Sequence, residues 1–268
     1  APLTLGARID GTFTQTGQQA RYSFTLDERK QLLLDTLNNA DFNWTLTGPL
    51  GTVVNQRSLR SSDAADIGGD PSLRLVPGSY TLTLDASGDD TGAIAFRLLD
   101  LAAATPLTPG TPITATLAGG TETQLYRFTA AAGDKFFFDV QQSTHVNGAW
   151  RLYGPGGNLL ARADNLADLD VQTLREAGPY TLAIEGRYNA TVANAVRMLV
   201  QPLPEGAPVR ITGLEYPPAA DLSVQDLQVS GASGAIESGA AVTVSWTDRN
   251  DGTLPTGSLP ADGYAATY

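Results

Sequence analysis

The sequence predicts an all-β protein: two tandem jelly-roll-like β-sandwich domains, then a partial β unit of Ig-like type at the C-terminus. Three observations carry this expectation. Apolar and polar residues alternate over short runs, the period of a strand with one buried face. Twenty-eight glycines and 16 prolines punctuate 268 residues, so the chain reverses often. A set of landmarks also occurs twice in the same order, as a duplication would leave it. No segment keeps a 3.6-residue apolar period with caps over three turns, so no helix is expected.

Taken in order, the first landmark is Arg21-Tyr22-Ser23-Phe24-Thr25, which returns 104 residues later as Leu125-Tyr126-Arg127-Phe128-Thr129. Tyr22, Phe24 and Leu26 alternate with polar neighbours and predict a half-buried strand. Leu32-Leu33-Leu34-Asp35 returns as Phe136-Phe137-Phe138-Asp139. Such short continuous apolar runs predict central strands covered on both faces. Trp44-Thr45-Leu46-Thr47-Gly48-Pro49-Leu50-Gly51 returns as Trp150-Arg151-Leu152-Tyr153-Gly154-Pro155-Gly156-Gly157. Each copy is a strand running into a tight turn, where proline presets φ and glycine admits positive φ. Gly78-Ser79-Tyr80-Thr81-Leu82 returns as Gly178-Pro179-Tyr180-Thr181-Leu182, a further alternating strand, and Arg97 falls on Arg197.

The domain boundaries follow. The first repeat covers residues 1–105 and the second 109–205, joined by the short stiff stretch Pro106-Leu107-Thr108-Pro109-Gly110. A second proline-rich connection, Pro202 to Pro208 with Pro217-Pro218, precedes a new β unit over 219–268. In that unit Leu222, Val224 and Leu227 lead through a Gly/Ser turn to Val242-Thr243-Val244-Ser245-Trp246. About fifty residues are too few for a full sandwich, so a truncated unit is expected, with the polypeptide continuing into further domains.

Tyr-x-Phe, the apolar strand, Leu-x-Gly-Pro-x-Gly and Gly-x-Tyr-Thr-Leu together resemble the bacterial pre-peptidase C-terminal domain. That resemblance implies a jelly-roll-like sandwich of the kind found beside secreted proteases and in large exported proteins. Ala220-Asp221-Leu222-Ser223-Val224, Val242 to Thr247 and Asn250-Asp251-Gly252 are similar to the opening of the CARDB adhesion-related Ig-like domain. No peptidase sequence accompanies these repeats.

Composition narrows the function. Twenty-eight acids against 17 bases give a net charge of −11, which argues against nucleic acid as a partner. The absence of cysteine excludes disulfide scaffolds, thiolate metal sites and cysteine nucleophiles. No apolar run reaches the roughly 18–20 residues of a membrane span, so no membrane insertion is expected. Arginine outnumbers lysine fifteen to two, the bias of a GC-rich bacterial genome. The chain opens on Ala1-Pro2 rather than Met, as a processed product or excised fragment would. An acidic surface rich in Thr, Gly and Asp suits a secreted or cell-surface protein.

Catalytic constellations are thin. His145, the single histidine, lies in a polar stretch before the Trp150 strand, and no Gly-x-Ser-x-Gly elbow accompanies it. A solvated loop is the better reading. Asp90-Thr91-Gly92 matches the core triplet of aspartic proteases, but that chemistry needs two such carboxylates. Its position between alternating strands predicts a hairpin turn instead. For carbohydrate binding, Trp44 and Trp150 sit at matching strand positions that favour core packing. Tyr153, Tyr188, Tyr216 and Tyr264 are less constrained.

Calcium is the one cofactor considered. Asp63, Asp66 and Asp70 in the first repeat and Asp164, Asp168 and Asp170 in the second occupy corresponding loops. Loop carboxylates can supply the oxygens that calcium requires, and some pre-peptidase-like domains bind it, as the resemblance implies. The alternative, aspartates that cap turns in a solvated loop, accounts for the same residues. The expectation is therefore a non-enzymatic structural or accessory segment of a large exported protein, adhesion-associated, whose partner is an unknown surface protein or a glycan. The alternatives are a carbohydrate-binding module or accessory domains of a secreted hydrolase.

Overall fold

The fold was described from a computed structural model, which describes residues 1–61, 69–86, 88–145, 147–204, 222–231 and 242–250. It is an all-β sandwich protein. Residues 1–207 form one compact unit and residues 208–268 a second.

In the first unit, strands β1 (Ile9–Phe13), β2 (Gln19–Leu26), β3 (Lys30–Thr36), β4 (Phe42–Gly48), β5 (Gly51–Ser58), β6 (Leu73–Leu75), β7 (Gly78–Ala86) and β8 (Gly92–Asp100) build two four-stranded sheets. Their orders are β1-β8-β3-β6 and β2-β7-β4-β5. Apart from the β4–β5 hairpin, the chain alternates between the sheets, as in a jelly roll. β9 (Thr105–Pro106) follows, and then β10 (Ile113–Leu117), β11 (Thr123–Ala130), β12 (Lys135–Ser143), β13 (Ala149–Tyr153), β14 (Leu159–Asp164), β15 (Leu169–Thr173), β16 (Gly178–Glu185) and β17 (Asn194–Leu203) repeat the pattern. Their sheets run β10-β17-β12-β15 and β14-β13-β16-β11-β9, the same topology with one strand added.

The landmark residues occupy equivalent places except Arg97, whose place in the second repeat is taken by Leu199 and not Arg197. Tyr22 lies opposite Leu82 and Phe24 opposite Tyr80, as Tyr126 lies opposite Leu182 and Phe128 opposite Tyr180. Trp44 faces Leu84 and Trp150 faces Ile184. Both tryptophans are buried, each in its own sandwich core. Phe24 stacks on Tyr80 at 5.2 Å and Phe128 on Tyr180 at 5.6 Å. The Tyr80 hydroxyl donates to the Val76 carbonyl and the Tyr180 hydroxyl to the Glu176 carbonyl, four residues back in each case. Each Gly-Pro turn also touches the glycine that opens a later strand. A Cβ on Gly78 would meet Pro49 at 2.7 Å, and one on Gly178 would meet Pro155 at 3.0 Å, with φ of 140° and 144°. Turn and glycine recur together because they interlock.

In β3 both faces are covered, as expected: Leu32 and Leu34 lie inside the first core and Leu33 in a separate apolar cluster on the opposite face. Two other local expectations are corrected. In β12 only one face is buried: Phe136 and Phe138 enter the core, while Phe137 is half-exposed because no described layer covers that side. Asp90 does not sit in a hairpin. β7 pairs with β2 and β4, and β8 with β1 and β3, so both strands are already flanked and the loop crosses from one sheet to the other. The proline-rich join is itself held against the second sandwich. β9 pairs in parallel with β11, placing Thr105 opposite Tyr126, and Leu107 is buried in the second core.

In the second unit the described strands are β18 (Leu222–Gly231) and β19 (Val242–Asn250), an antiparallel pair with a register shift between Gln225 and Gln228.

Candidate functional site

The two sandwiches of the first unit meet face to face. The outward side of sheet β1-β8-β3-β6 packs on the outward side of the five-stranded sheet, burying Leu33, Leu101, Tyr153 and Ala183 together, with Leu99, Leu125 and Leu159 partly buried around them. Strand alternation explains the selection. Leu32, Leu34, Phe96 and Leu98 point into the first core, so Leu33, Asp35, Arg97 and Leu99 point out. In β13, Trp150 and Leu152 point into the second core, so Arg151 and Tyr153 point out.

This seam holds a desolvated ionic network. Asp35 is fully buried, and its Oδ2 lies 2.5 Å from Arg97 Nε. The Thr123 hydroxyl donates to Asp35 Oδ1 at 2.9 Å, and the Thr123 backbone N–H donates to Oδ2 at 3.3 Å. Arg97 Nη2 in turn donates to the Thr123 carbonyl at 2.7 Å, so each side of the seam serves the other. Nearby, Arg151 pairs with Glu185, both fully buried. Glu185 Oε1 has no hydrogen-bond partner among the described residues. Burial pushes the Glu185 carboxyl up to about 7, against the pull of Arg151 and helped by the Asp35 charge. Burial also raises Asp35, to about 6, although Arg97 and Thr123 oppose the rise. Buried, paired charges of this kind cost little only when both partners stay in place.

At one edge the seam opens into a groove of about 560 Å³. Here the Gly157 carbonyl, from the second Gly-Pro-x-Gly turn, accepts from Gln31 Nε2 at 2.6 Å and Arg74 Nη2 at 3.0 Å. Gly157 has φ of 77°, and a Cβ would stand 2.4 Å from Gln31 Oε1, so no other residue fits there without displacement. Lys30 Nζ sits between Asp100 at 2.8 Å and Glu28 at 3.2 Å. Three charges along the groove thus engage one another, while Arg74 and Arg127 bond to the Gly157 and Ala102 carbonyls. Tyr153 lines it but its ring is buried, and burial raises its hydroxyl pKa, so the groove offers no aromatic platform from that residue.

The aspartates singled out from the sequence have other partners. Asp63 and Asp66 lie outside the described residues. Asp70 Oδ1 accepts from the Ser72 backbone N–H at 3.0 Å and the Ser72 hydroxyl at 2.6 Å. Asp164 pairs with Arg162, Asp168 Oδ1 accepts from the Val140 N–H at 2.7 Å, and Asp170 Oδ1 accepts from the Val171 N–H at 2.7 Å. Among the described residues no group of three or more His, Asp or Glu side chains is placed to hold a metal ion, so the second trio is not brought together as one ligand set. His145 is exposed, and buried Asn194 holds its backbone: Nδ2 donates to the His145 carbonyl at 2.7 Å and Oδ1 accepts from its N–H at 3.1 Å. Trp44 and Trp150 are core residues, Tyr188 is half-buried, and Tyr216 and Tyr264 lie outside the described residues. Trp246 on β19 is exposed.

Sequence reasoning missed the seam. The one signal pointing to it was the acid that follows an apolar triplet in both repeats, Asp35 and Asp139.

No family model matches the chain, and no curated protein matches it. Among solved structures, the periplasmic inhibitor of g-type lysozyme PliG from Aeromonas hydrophila is 16% identical, with a TM-score of 0.30, covering 37% of this chain and 96% of that one. The CUB1-EGF-CUB2 domains of rat MASP-1 are 7% identical, with a TM-score of 0.26, covering 73% and 99%. A tail fiber protein of an E. coli phage is 10% identical, with a TM-score of 0.22, covering 74% and 36%. Among the described residues no helix is long and apolar enough to cross a membrane.

Proposed function

We propose that this chain is a non-enzymatic structural segment of a large exported bacterial protein, acting at the cell surface or in the secreted fraction as a rigid, adhesion-associated spacer. The observation that carries this reading is the desolvated seam, in which Asp35 and Arg97 of one jelly roll are bonded to Thr123 of the next. A flexible tether needs no buried ion pairs between its modules, whereas a spacer that holds a binding partner at a fixed height does. The resemblance of the repeats to pre-peptidase C-terminal domains, and of residues 220–252 to the opening of a CARDB domain, agrees with placement in an exported protein. The runner-up is glycan binding, which draws on the exposed Trp246.

Hydrogen exchange on the intact chain tests the spacer reading. Amides of Leu33 to Asp35 and Arg151 to Tyr153 are expected to exchange only by the global opening that releases the two cores. Exchange at the seam well ahead of the cores would make the sandwiches independently moving modules and would sink the proposal.

A further inference from the structure

Part of the outward pattern that the seam buries in the first jelly roll recurs on the second, where nothing among the described residues covers it. Phe137 and Asp139 stand in the places of Leu33 and Asp35, and Leu199 and Arg197 in the places of Arg97 and Ala95. The neighbours Phe136, Phe138, Val196, Met198 and Val200 all enter the second core, so these four project from the opposite side of sheet β10-β17-β12-β15. Phe137 and Leu199 are half-exposed and Arg197 is exposed.

Their pairing differs from the first repeat in one respect. There, Asp35 lies directly opposite Arg97 and the two bond. In the second repeat Leu199 stands opposite Asp139 in the place of Arg97, and Arg197, beyond a bulge between Val140 and Gln142, faces Gln142. Gln141 stands between the two charges, donating to Asp139 Oδ2 at 3.1 Å and accepting from Arg197 Nε at 2.9 Å. Among the described residues neither Asp139 nor Arg197 has an ion-pair partner. The face therefore carries the apolar Phe137 and Leu199, the acid Asp139 and the base Arg197 held apart by Gln141, and the exposed Lys135 at the start of β12.

We infer that this face of sheet β10-β17-β12-β15 is a self-association surface that pairs with the same face of a second copy of the chain about a two-fold axis. Charge complementarity selects this occupant. A two-fold operation sets Asp139 against the partner's Arg197 and Arg197 against the partner's Asp139, while bringing the Phe137 and Leu199 side chains of both copies together. Head-to-tail stacking, which would repeat the existing seam, lacks a mating surface. The face of the first repeat equivalent to the buried Leu125, Tyr153 and Ala183 carries Arg21, Thr47 and Thr83 instead, a polar end such as closes a stack of repeats.

The test is sedimentation velocity of the full chain from about 1 to about 300 µM at about 0.15 M salt, where repulsion between the two acidic copies is screened beyond about 8 Å. A concentration-dependent dimer is expected. Asp139→Arg and Arg197→Asp, each placing like charges face to face, are expected to weaken the dimer by roughly tenfold or more. The double variant is expected to return to within roughly threefold of the native chain. Circular dichroism and thermal melts of each variant establish that they fold. In the native chain, exchange protection at residues 137–141 and 197–201 should rise with concentration, which needs no variant. A monomer across the whole range overturns the inference and leaves the face to solvent or to a different domain. A dimer indifferent to both charge reversals overturns it as well, by placing the contact elsewhere.

Discussion

The Thr123 hydroxyl donates to Asp35 Oδ1 at 2.9 Å, a hydrogen bond between residues 88 apart in sequence and in different sandwiches. The same carboxylate takes Arg97 from its own sandwich and the Thr123 N–H from the other, so it is the point through which the two jelly rolls are fixed.

Asp35→Ala is expected to destabilise the first unit by about 3–5 kcal/mol, because it leaves Arg97 and two Thr123 donors without their acceptor in a desolvated contact. Thr123→Val, which keeps the shape and removes only the hydroxyl, should cost about 1–2 kcal/mol. Denaturant midpoints of the two variants check the ranking; equal, small losses would mean that water replaces the bonds.

The buried carboxylates give a pH dependence opposite to ordinary acid unfolding. Burial raises Glu185 to about 7 and Asp35 to about 6 in the folded chain. Unfolded carboxylates titrate near 4. Between about pH 4 and 7 the folded state holds more protons than the unfolded state, so the contribution of these groups to stability is complete below about pH 4 and is lost as pH rises through 6 and 7. Melting temperature is therefore expected to fall between pH 5 and pH 8, and Glu185→Gln should flatten that slope. An unchanged slope in the variant would remove Glu185 as its source.

Gly157→Ala tests the edge of the seam. The added methyl group falls 2.4 Å from Gln31 Oε1 at a backbone φ of 77°. A cost of about 1–3 kcal/mol is expected from steric displacement and backbone strain together. Gly51→Ala also sits at positive φ, 104°, but has open space beside it, so it isolates the backbone share. The difference between the two variants in denaturant melts measures the contact with Gln31.

Calcium at millimolar concentration is expected to leave the melting temperature unchanged, since Arg162, the Val140 N–H and the Val171 N–H already engage the carboxylates of the second aspartate trio. Asp168→Ala should instead cost about 1 kcal/mol by stripping the acceptor from Val140 beside the β12 bulge. A calcium-dependent rise in melting temperature, lost with Asp168, would place calcium at the second trio.

His145→Ala and Asp90→Asn are expected to change stability by less than about 0.5 kcal/mol, both residues being exposed on loops. Peptidase or esterase turnover by the native chain that disappears in either variant would overturn the non-enzymatic reading.

The duplication, the strands and the turns were legible in the sequence because each depends on neighbours in the chain. Alternation places Trp44 and Trp150 inward wherever the sheets happen to lie, and Gly78 and Gly178 open a strand against a proline in either repeat. The seam was not legible, because alternation says only that a residue points outward and not what meets it there. Leu33 and Phe137 hold the same place in the same fold, as do Asp35 and Asp139. Leu33 and Asp35 are buried, whereas Phe137 and Asp139 are half-exposed. What separates them is the stacking of one whole sandwich on another, a long-range contact that takes the Asp35 carboxylate out of water and so raises its pKa.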